Sequence, residues 1–249
     1  MANLELQFSS SVLQNQETIR LLLPDHPSSK NLPTIWWLHG LGDNGSVWLR
    51  KTRLELFASQ YQVAIILPDM HRSFYRNAPD GQRYFDYLTE ELPAYLGTLL
   101  PLATTARKRF LVGNSMGGYG AYRWIAHYPS HFSHVATLSP VTDLTVVRRL
   151  MPDYRNTIWP DPEKIPALST EFALTAPDLK AVNWFQSMGT DDELLDDCKH
   201  FDQMIREQYQ IDLNAHIEPG KHDWNFWDSQ LPKIFEWLPL EKLTGGIKA

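Results

Sequence analysis

Ser115 lies in the segment Gly113-Asn114-Ser115-Met116-Gly117-Gly118, behind an apolar run from Arg109 to Val112 and ahead of a helix-compatible stretch from Tyr119 to Ala126. A serine flanked by small residues two places before and after it fits a sharp strand-to-helix turn, on which its hydroxyl projects while its backbone is strained. Such a serine sits at the helix N-terminus, where unpaired N–H groups and the helix dipole favour the negative charge that develops when a hydroxyl attacks a carbonyl. The Met116 N–H is then a natural oxyanion donor. A G-x-S-x-G pattern alone is a weak signal; the strand before it and the helix after it are what sharpen it.

A serine hydroxyl is a poor nucleophile near neutral pH. A histidine must take its proton, and an acidic group must hold that histidine in one tautomer and stabilise its charged form. On a strand-to-helix turn of this kind the expected chain order is Ser, then Asp or Glu, then His. After Ser115 come His127, His131, His134, His200, His216 and His222. The spacing of the first three suggests a metal face, but Pro129 interrupts the helix between them, so they read as a helix end and loop, and no metal is expected. His200 falls in a surface helix pattern and His216 inside a strand pattern. His222 follows the turn Glu218-Pro219-Gly220-Lys221 and precedes Asp223-Trp224-Asn225-Phe226-Trp227, which puts it on a loop where aromatic neighbours limit water. It is the expected base. Only neutral imidazole accepts a proton, so activity is expected to rise as pH climbs through roughly 6 to 7.5, where a free imidazole deprotonates.

For the acid, the apolar run Trp184 to Met188 empties into Gly189-Thr190-Asp191-Asp192-Glu193 just before a helical stretch. Asp191, Asp192 and Glu193 are all also first-turn acids that a helix dipole favours, and position does not choose between them. Asp69 precedes Ser115 and is disfavoured by order. A second oxyanion donor is expected from His39-Gly40-Leu41-Gly42, after the run Thr34 to Leu38; Leu41 N–H is the candidate, and His39 reads as a hydrogen-bonding partner that orients the loop. Trp48, Phe74, Tyr75 and Trp224 are candidates for a substrate pocket, although aromatic side chains more often fill a core.

The elements that must position these groups show in the hydrophobic pattern. Leu4 to Ser10 and Thr18 to Leu23 alternate in part and suggest an antiparallel pair at a sheet edge. Short apolar runs at Thr34 to Leu38, Val63 to Leu67, Arg109 to Val112, Val135 to Leu138, Trp184 to Met188 and Leu213 to Ile217 are what strands covered on both faces require. Helical stretches at Ser46 to Ser59, Tyr84 to Leu99, Met116 to His127, Glu193 to Tyr209 and Phe226 to Leu238 lie between or after them. The alternation predicts an α/β fold with a mostly parallel central sheet and helices on both faces, its functional groups at the carboxyl ends of the strands. From Val141 to Val182, Pro152, Pro160, Pro162, Pro166 and Pro177 oppose a single long helix, and this excursion is expected as a cap-like insertion over the site. The 13 Gly and 17 Pro fall mostly between apolar segments and nothing resembles a linker or repeat, so residues 1–249 read as a single domain.

Composition narrows the function classes. With 23 Lys plus Arg against 29 Asp plus Glu, the formal charge is −6, which argues against nucleic acid as a partner because phosphate binding needs clustered positive charge. No apolar run approaches about 18 residues and the first basic residue is Arg20, so neither a membrane span nor a signal peptide is expected. The lone Cys198 cannot close an intrachain disulfide and fits a reducing, cytoplasmic setting. Self-association into a homo-oligomer is compatible with all of this.

Taken together, the segments W-L-H-G-L-G-D-N (37–44), P-D-M-H-R-S-F-Y-R-N (68–77), G-Q-R-Y-F-D-Y-L-T-E-E-L-P (81–93), G-N-S-M-G-G-Y-G-A (113–121), S-M-G-T-D-D-E-L-L (187–195) and G-K-H-D-W-N-F-W-D (220–228) resemble the esterase family that includes tributyrin esterase, short-chain acetyl esterases, feruloyl-type esterases and S-formylglutathione hydrolase. The R-S-F-Y and H-D-W-N-F-W-D pieces are most similar to the tributyrin esterase branch. The resemblance implies an α/β-hydrolase fold and a cofactor-free serine carboxylesterase that hydrolyses small acetyl, butyryl or aryl esters through an acyl-enzyme. A thioesterase of the S-formylglutathione hydrolase type is the second reading, and a non-catalytic binding protein on the same fold the third. The family's catalytic aspartate falls on Asp192, its nucleophile on Ser115, its base on His222 and its oxyanion donors on Leu41 and Met116. The chain departs from the family at His71, where glycine is common, and across Val141 to Val182.

Overall fold

In the computed structural model, residues 1–25, 31–78, 82–151 and 165–243 are described. Eight strands form one sheet: β1 (Ala2–Ser10), β2 (Asn15–Leu23), β3 (Thr34–Leu38), β4 (Ala64–Pro68), β5 (Arg109–Asn114), β6 (His134–Leu138), β7 (Asn183–Gly189) and β8 (Leu213–Glu218), in the order β1-β2-β4-β3-β5-β6-β7-β8. β2 runs antiparallel to β1 and β4, and every other neighbouring pair is parallel. The antiparallel pair therefore occupies one edge, and each apolar run read from the sequence corresponds to a strand.

The short central strands are apolar along their whole length because both faces are covered. In β3, Trp36 and Leu38 join the core formed with α4 (Leu92–Leu99), α5 (Met116–His127), α6 (Leu144–Leu150), α7 (Leu168–Phe172), α8 (Ala176–Leu179) and α9 (Leu195–Tyr209), whereas Ile35 and Trp37 join a second core with α1 (Val47–Lys51), α2 (Leu54–Tyr61) and α10 (Trp224–Trp237). Successive strand side chains point to opposite faces, so one five-residue strand anchors two layers. Among the described residues no helix is long and apolar enough to cross a membrane.

Three segments differ from the sequence expectation. The helix expected over Ser46 to Ser59 is broken: Thr52 is extended, its hydroxyl takes the Leu54 N–H, and the Arg53 N–H is held by Asp228 at 2.8 Å. Side-chain capping of this kind ends one helix and starts the next. The stretch Tyr84 to Leu99 runs from α3 (Tyr84–Asp86) through a π turn at Tyr87–Glu91 into α4. In the excursion after β6, the described parts carry α6, α7 and α8; Pro152, Pro160 and Pro162 lie outside the described residues.

Candidate active site

β5 ends in a turn that Ser115 makes with φ 53° and ψ −116°, a backbone conformation that L residues seldom adopt. The turn is tight enough to dictate its glycines. A Cβ at Gly113 would lie 2.1 Å from Gly117 O, and one at Gly117 would lie 2.2 Å from Leu38 O. Hydrogen bonds fasten the strained residue from both sides: Ser115 N–H donates to Leu138 O (3.0 Å), and Val141 N–H donates to Ser115 O (3.0 Å).

Three segments far apart in the chain meet here. His222, on the loop between β8 and α10, places Nε2 at 3.0 Å from Ser115 Oγ. Its Nδ1 lies 3.2 and 3.1 Å from the two Asp192 carboxylate oxygens. Asp192 follows β7 and its side chain is fully buried, whereas His222 is 22% exposed. Burial pushes the Asp192 carboxyl up, but hydrogen bonds from His222, Ser139 and the Leu194 N–H outweigh it and hold the group below the usual carboxylate range. Asp191 and Glu193 are exposed beside it.

The loop after β3 is braced by His39. Its Nδ1–H donates to Gly40 O (2.8 Å), its Nε2 accepts the Met70 N–H (2.9 Å), and burial holds the ring neutral by lowering its pKa. Tyr75 Oη donates to His39 O at 2.8 Å. The braced loop brings Leu41 to the same cleft as Ser115, Met116 and His222. Met116 is the first residue of α5, so its N–H has no acceptor within the helix.

The cleft, about 370 Å³ of empty space including its open mouth, has mainly apolar walls. Val141 and the α6 residues Val146, Val147 and Leu150 supply one side of it, Leu41 and Phe74 another, and Glu193 stands in the lining as its acidic group. Of the four aromatic pocket candidates, Phe74 lines this cleft and the other three serve its frame. Trp48 is buried and donates its indole N–H to Asn114 Oδ1 (3.1 Å). Tyr75 is buried against Gly120. Trp224 packs edge-on between Trp48 and Trp227. Residue type alone does not separate a wall from the framework behind it.

Ser139, behind the site, escaped the sequence reading, whereas Trp227 stood in the aromatic stretch read beside His222. Ser139, with φ 46° at the end of β6, supports the Asp192 carboxylate and accepts the Trp227 indole N–H at 3.1 Å. Trp227 in turn packs edge-on against His222, with ring centroids 5.1 Å apart. The one sequence signal was the Ser139-Pro140 turn after a strand. The histidines of the rejected metal face diverge: His127 meets Glu171, His131 takes the Trp124 indole N–H, and His134 packs on Trp237.

The esterase family model, described as "Putative esterase", matches residues 10–238. The chain belongs to this esterase family. An acetyl esterase of Caldicellulosiruptor saccharolyticus is 27% identical to it over 264 residues, covering 96% of this chain and 98% of that one. Among solved structures, the fluorophosphonate-binding serine hydrolase F of Staphylococcus aureus superposes with a TM-score of 0.84 at 23% identity, covering 95% of this chain and 98% of that one. The S-formylglutathione hydrolase of the same organism gives 0.83 at 24% identity with the same coverage. The esterase has the α/β-hydrolase fold.

Proposed function

We propose that this esterase hydrolyses small acetyl-, butyryl- or aryl-type esters by acyl transfer through Ser115, with His222 as base and acid and Asp192 as the group that orients and stabilises it. The reading rests on the continuous run of contacts from Asp192 through His222 to Ser115 Oγ. Ser115 Oγ attacks the carbonyl carbon while His222 Nε2 takes its proton, and the Leu41 and Met116 N–H groups bind the oxyanion. The intermediate collapses, the carbon–oxygen bond to the alcohol breaks, and His222 returns the proton to the departing oxygen. Water then loses a proton to His222 and attacks the acyl carbon. Collapse of this second intermediate frees the acid, and Ser115 recovers its proton from His222. No cofactor enters either half.

Apolar walls from Val146, Val147 and Leu150 suit a short acyl chain. A cytoplasmic setting agrees with Cys198 buried against Pro140 O. Rates on acetate, butyrate, octanoate and ferulate esters test the assignment: turnover of the short esters should fall to background in Ser115→Ala, and undiminished turnover by that variant would overturn it. A thioester reading draws support from the likeness to S-formylglutathione hydrolase. Comparing kcat/KM on S-formylglutathione with that on p-nitrophenyl acetate separates the two substrate classes.

A further inference from the structure

A second cavity, of about 820 Å³ of empty space including its open mouth, lies at the other end of the sheet. It is lined by Thr34 and Arg109, the first residues of β3 and β5, by Trp36, by Ala94 and Gly97 of α4, and by His131. Ser115 follows the last residue of β5, so the cavity and the cleft are separated by about 20 Å of strand. None of the residues lining this cavity is acidic.

Arg109 is half-buried there. Among the described residues no carboxylate pairs with its guanidinium, which instead lies over the Phe132 ring, 5.1 Å from its centroid. By contrast, Arg76 and Arg123, two more guanidiniums drawn into the interior, share Glu171. Burial without a counter-charge lowers the Arg109 pKa. His131 adds a second donor. Its Nδ1 accepts the Trp124 indole N–H at 3.3 Å, so the neutral ring carries its proton on Nε2. Burial, and then the charge of Arg109, lower the pKa of His131. The lining thus carries a guanidinium and an imidazole with no carboxylate among its residues, beside the apolar side chain of Trp36.

We propose that this cavity is a binding site for a small organic carboxylate, its oxygens held by Arg109 and His131 and its hydrocarbon part against Trp36 and α4. A guanidinium presents two parallel N–H groups that match a carboxylate. The apolar wall selects an organic anion over an inorganic one. Gly97, an exposed member of the lining, leaves the cavity open on the α4 side: an added Cβ there would meet nothing within 4 Å.

The test is calorimetric titration of the whole protein with benzoate and butyrate, with inorganic phosphate and benzamide as comparisons, while histidine NMR locates binding through the His131 signal, assigned with His131→Gln. Saturable binding of the carboxylates at millimolar concentration is expected, with the His131 titration midpoint moving up because a neighbouring carboxylate favours the charged ring. Arg109→Gln should weaken binding about 10- to 100-fold, and Gly97→Leu, which adds a bulky side chain to the lining while keeping both donors, should weaken it as well. Both variants should keep wild-type ester turnover. Failure of both carboxylates to bind, carboxylate binding that leaves the His131 signal unmoved, phosphate or benzamide binding as tightly as benzoate, or unchanged affinity in either variant would each overturn the assignment.

Discussion

The Asp192–His222 and Glu171–His127 pairs are built from the same two kinds of side chain in similar settings. The carboxylates are 0% and 7% exposed, and their imidazoles 22% and 27%. In the first pair, Asp192 takes Nδ1 of the ring and leaves Nε2 against Ser115 Oγ, on a strained turn that faces a cleft. In the second, Glu171 also meets Arg123 Nε at 3.2 Å and Arg76 Nη1 at 3.3 Å, and His127 Nε2 is the nitrogen that faces it, at 3.3 Å. Arg123 further lies over the Phe85 ring and donates to Tyr75 O, which ties the Phe74–Arg76 segment to α5 and α7. A buried carboxylate beside a histidine becomes chemical machinery only when the ring's other nitrogen has a hydroxyl to deprotonate. Surrounded by guanidiniums, the same pair is a clamp.

Substitutions that break each pair should therefore have opposite signatures. The largest effect is expected from Ser115→Ala and His222→Ala, each of which should lower kcat on p-nitrophenyl acetate by about 10⁴- to 10⁶-fold while leaving the urea midpoint nearly unchanged. Asp192→Asn keeps the shape but not the charge and should cost about 10⁴-fold in kcat. Steady-state kinetics beside urea melts check all three.

Glu171→Gln should do the reverse. Leaving Arg123 and Arg76 buried without their counter-charge should cost about 3–5 kcal/mol of stability in urea titrations, while kcat of the folded fraction stays within a few-fold of wild type. Burial opposes the Glu171 charge, but His127, Arg123 and Arg76 outweigh it and hold the carboxyl below its ordinary range. A depressed folded-state value means that the stabilisation is complete above the unfolded value of about 4.3 and is lost as pH falls through the folded one. The gap between wild type and Glu171→Gln should therefore be full at neutral pH and narrow as pH falls below the unfolded value of about 4.3 toward the depressed folded one. The smallest effect is expected from Ser139→Ala, which removes one hydrogen bond to the Asp192 carboxylate and should lower kcat by about tenfold or less.

Much of this arrangement was legible in the chain. The central strands announced themselves because a strand covered on both faces has to be apolar throughout, and β3 and β4 have no exposed position at which to hide. The edge pair β1 and β2, in contrast, showed only as partial alternation, and β8, read as an apolar run, is an edge strand with exposed positions. Ser115 and His222 stood out because turn chemistry and chain order constrain where such residues sit. Asp192 could not be told from Asp191 by position, because the difference between them is burial and a hydrogen bond from Leu194, which are tertiary facts. The break at Thr52 depends on Asp228, which lies 175 residues from Arg53. Likewise Trp48 and Tyr75 were legible as large aromatic side chains, but whether they faced the cleft or stood behind it depended on Asn114 and His39, partners that local pattern does not reveal.

Covalent labelling with a fluorophosphonate, read by peptide mass spectrometry, tests the central claim most directly. One adduct is expected, on Ser115 Oγ, its rate of formation falling steeply in His222→Ala and little in Glu171→Gln. A protein that stays unlabelled, an adduct on another residue, or equal labelling of wild type and Ser115→Ala would contradict it.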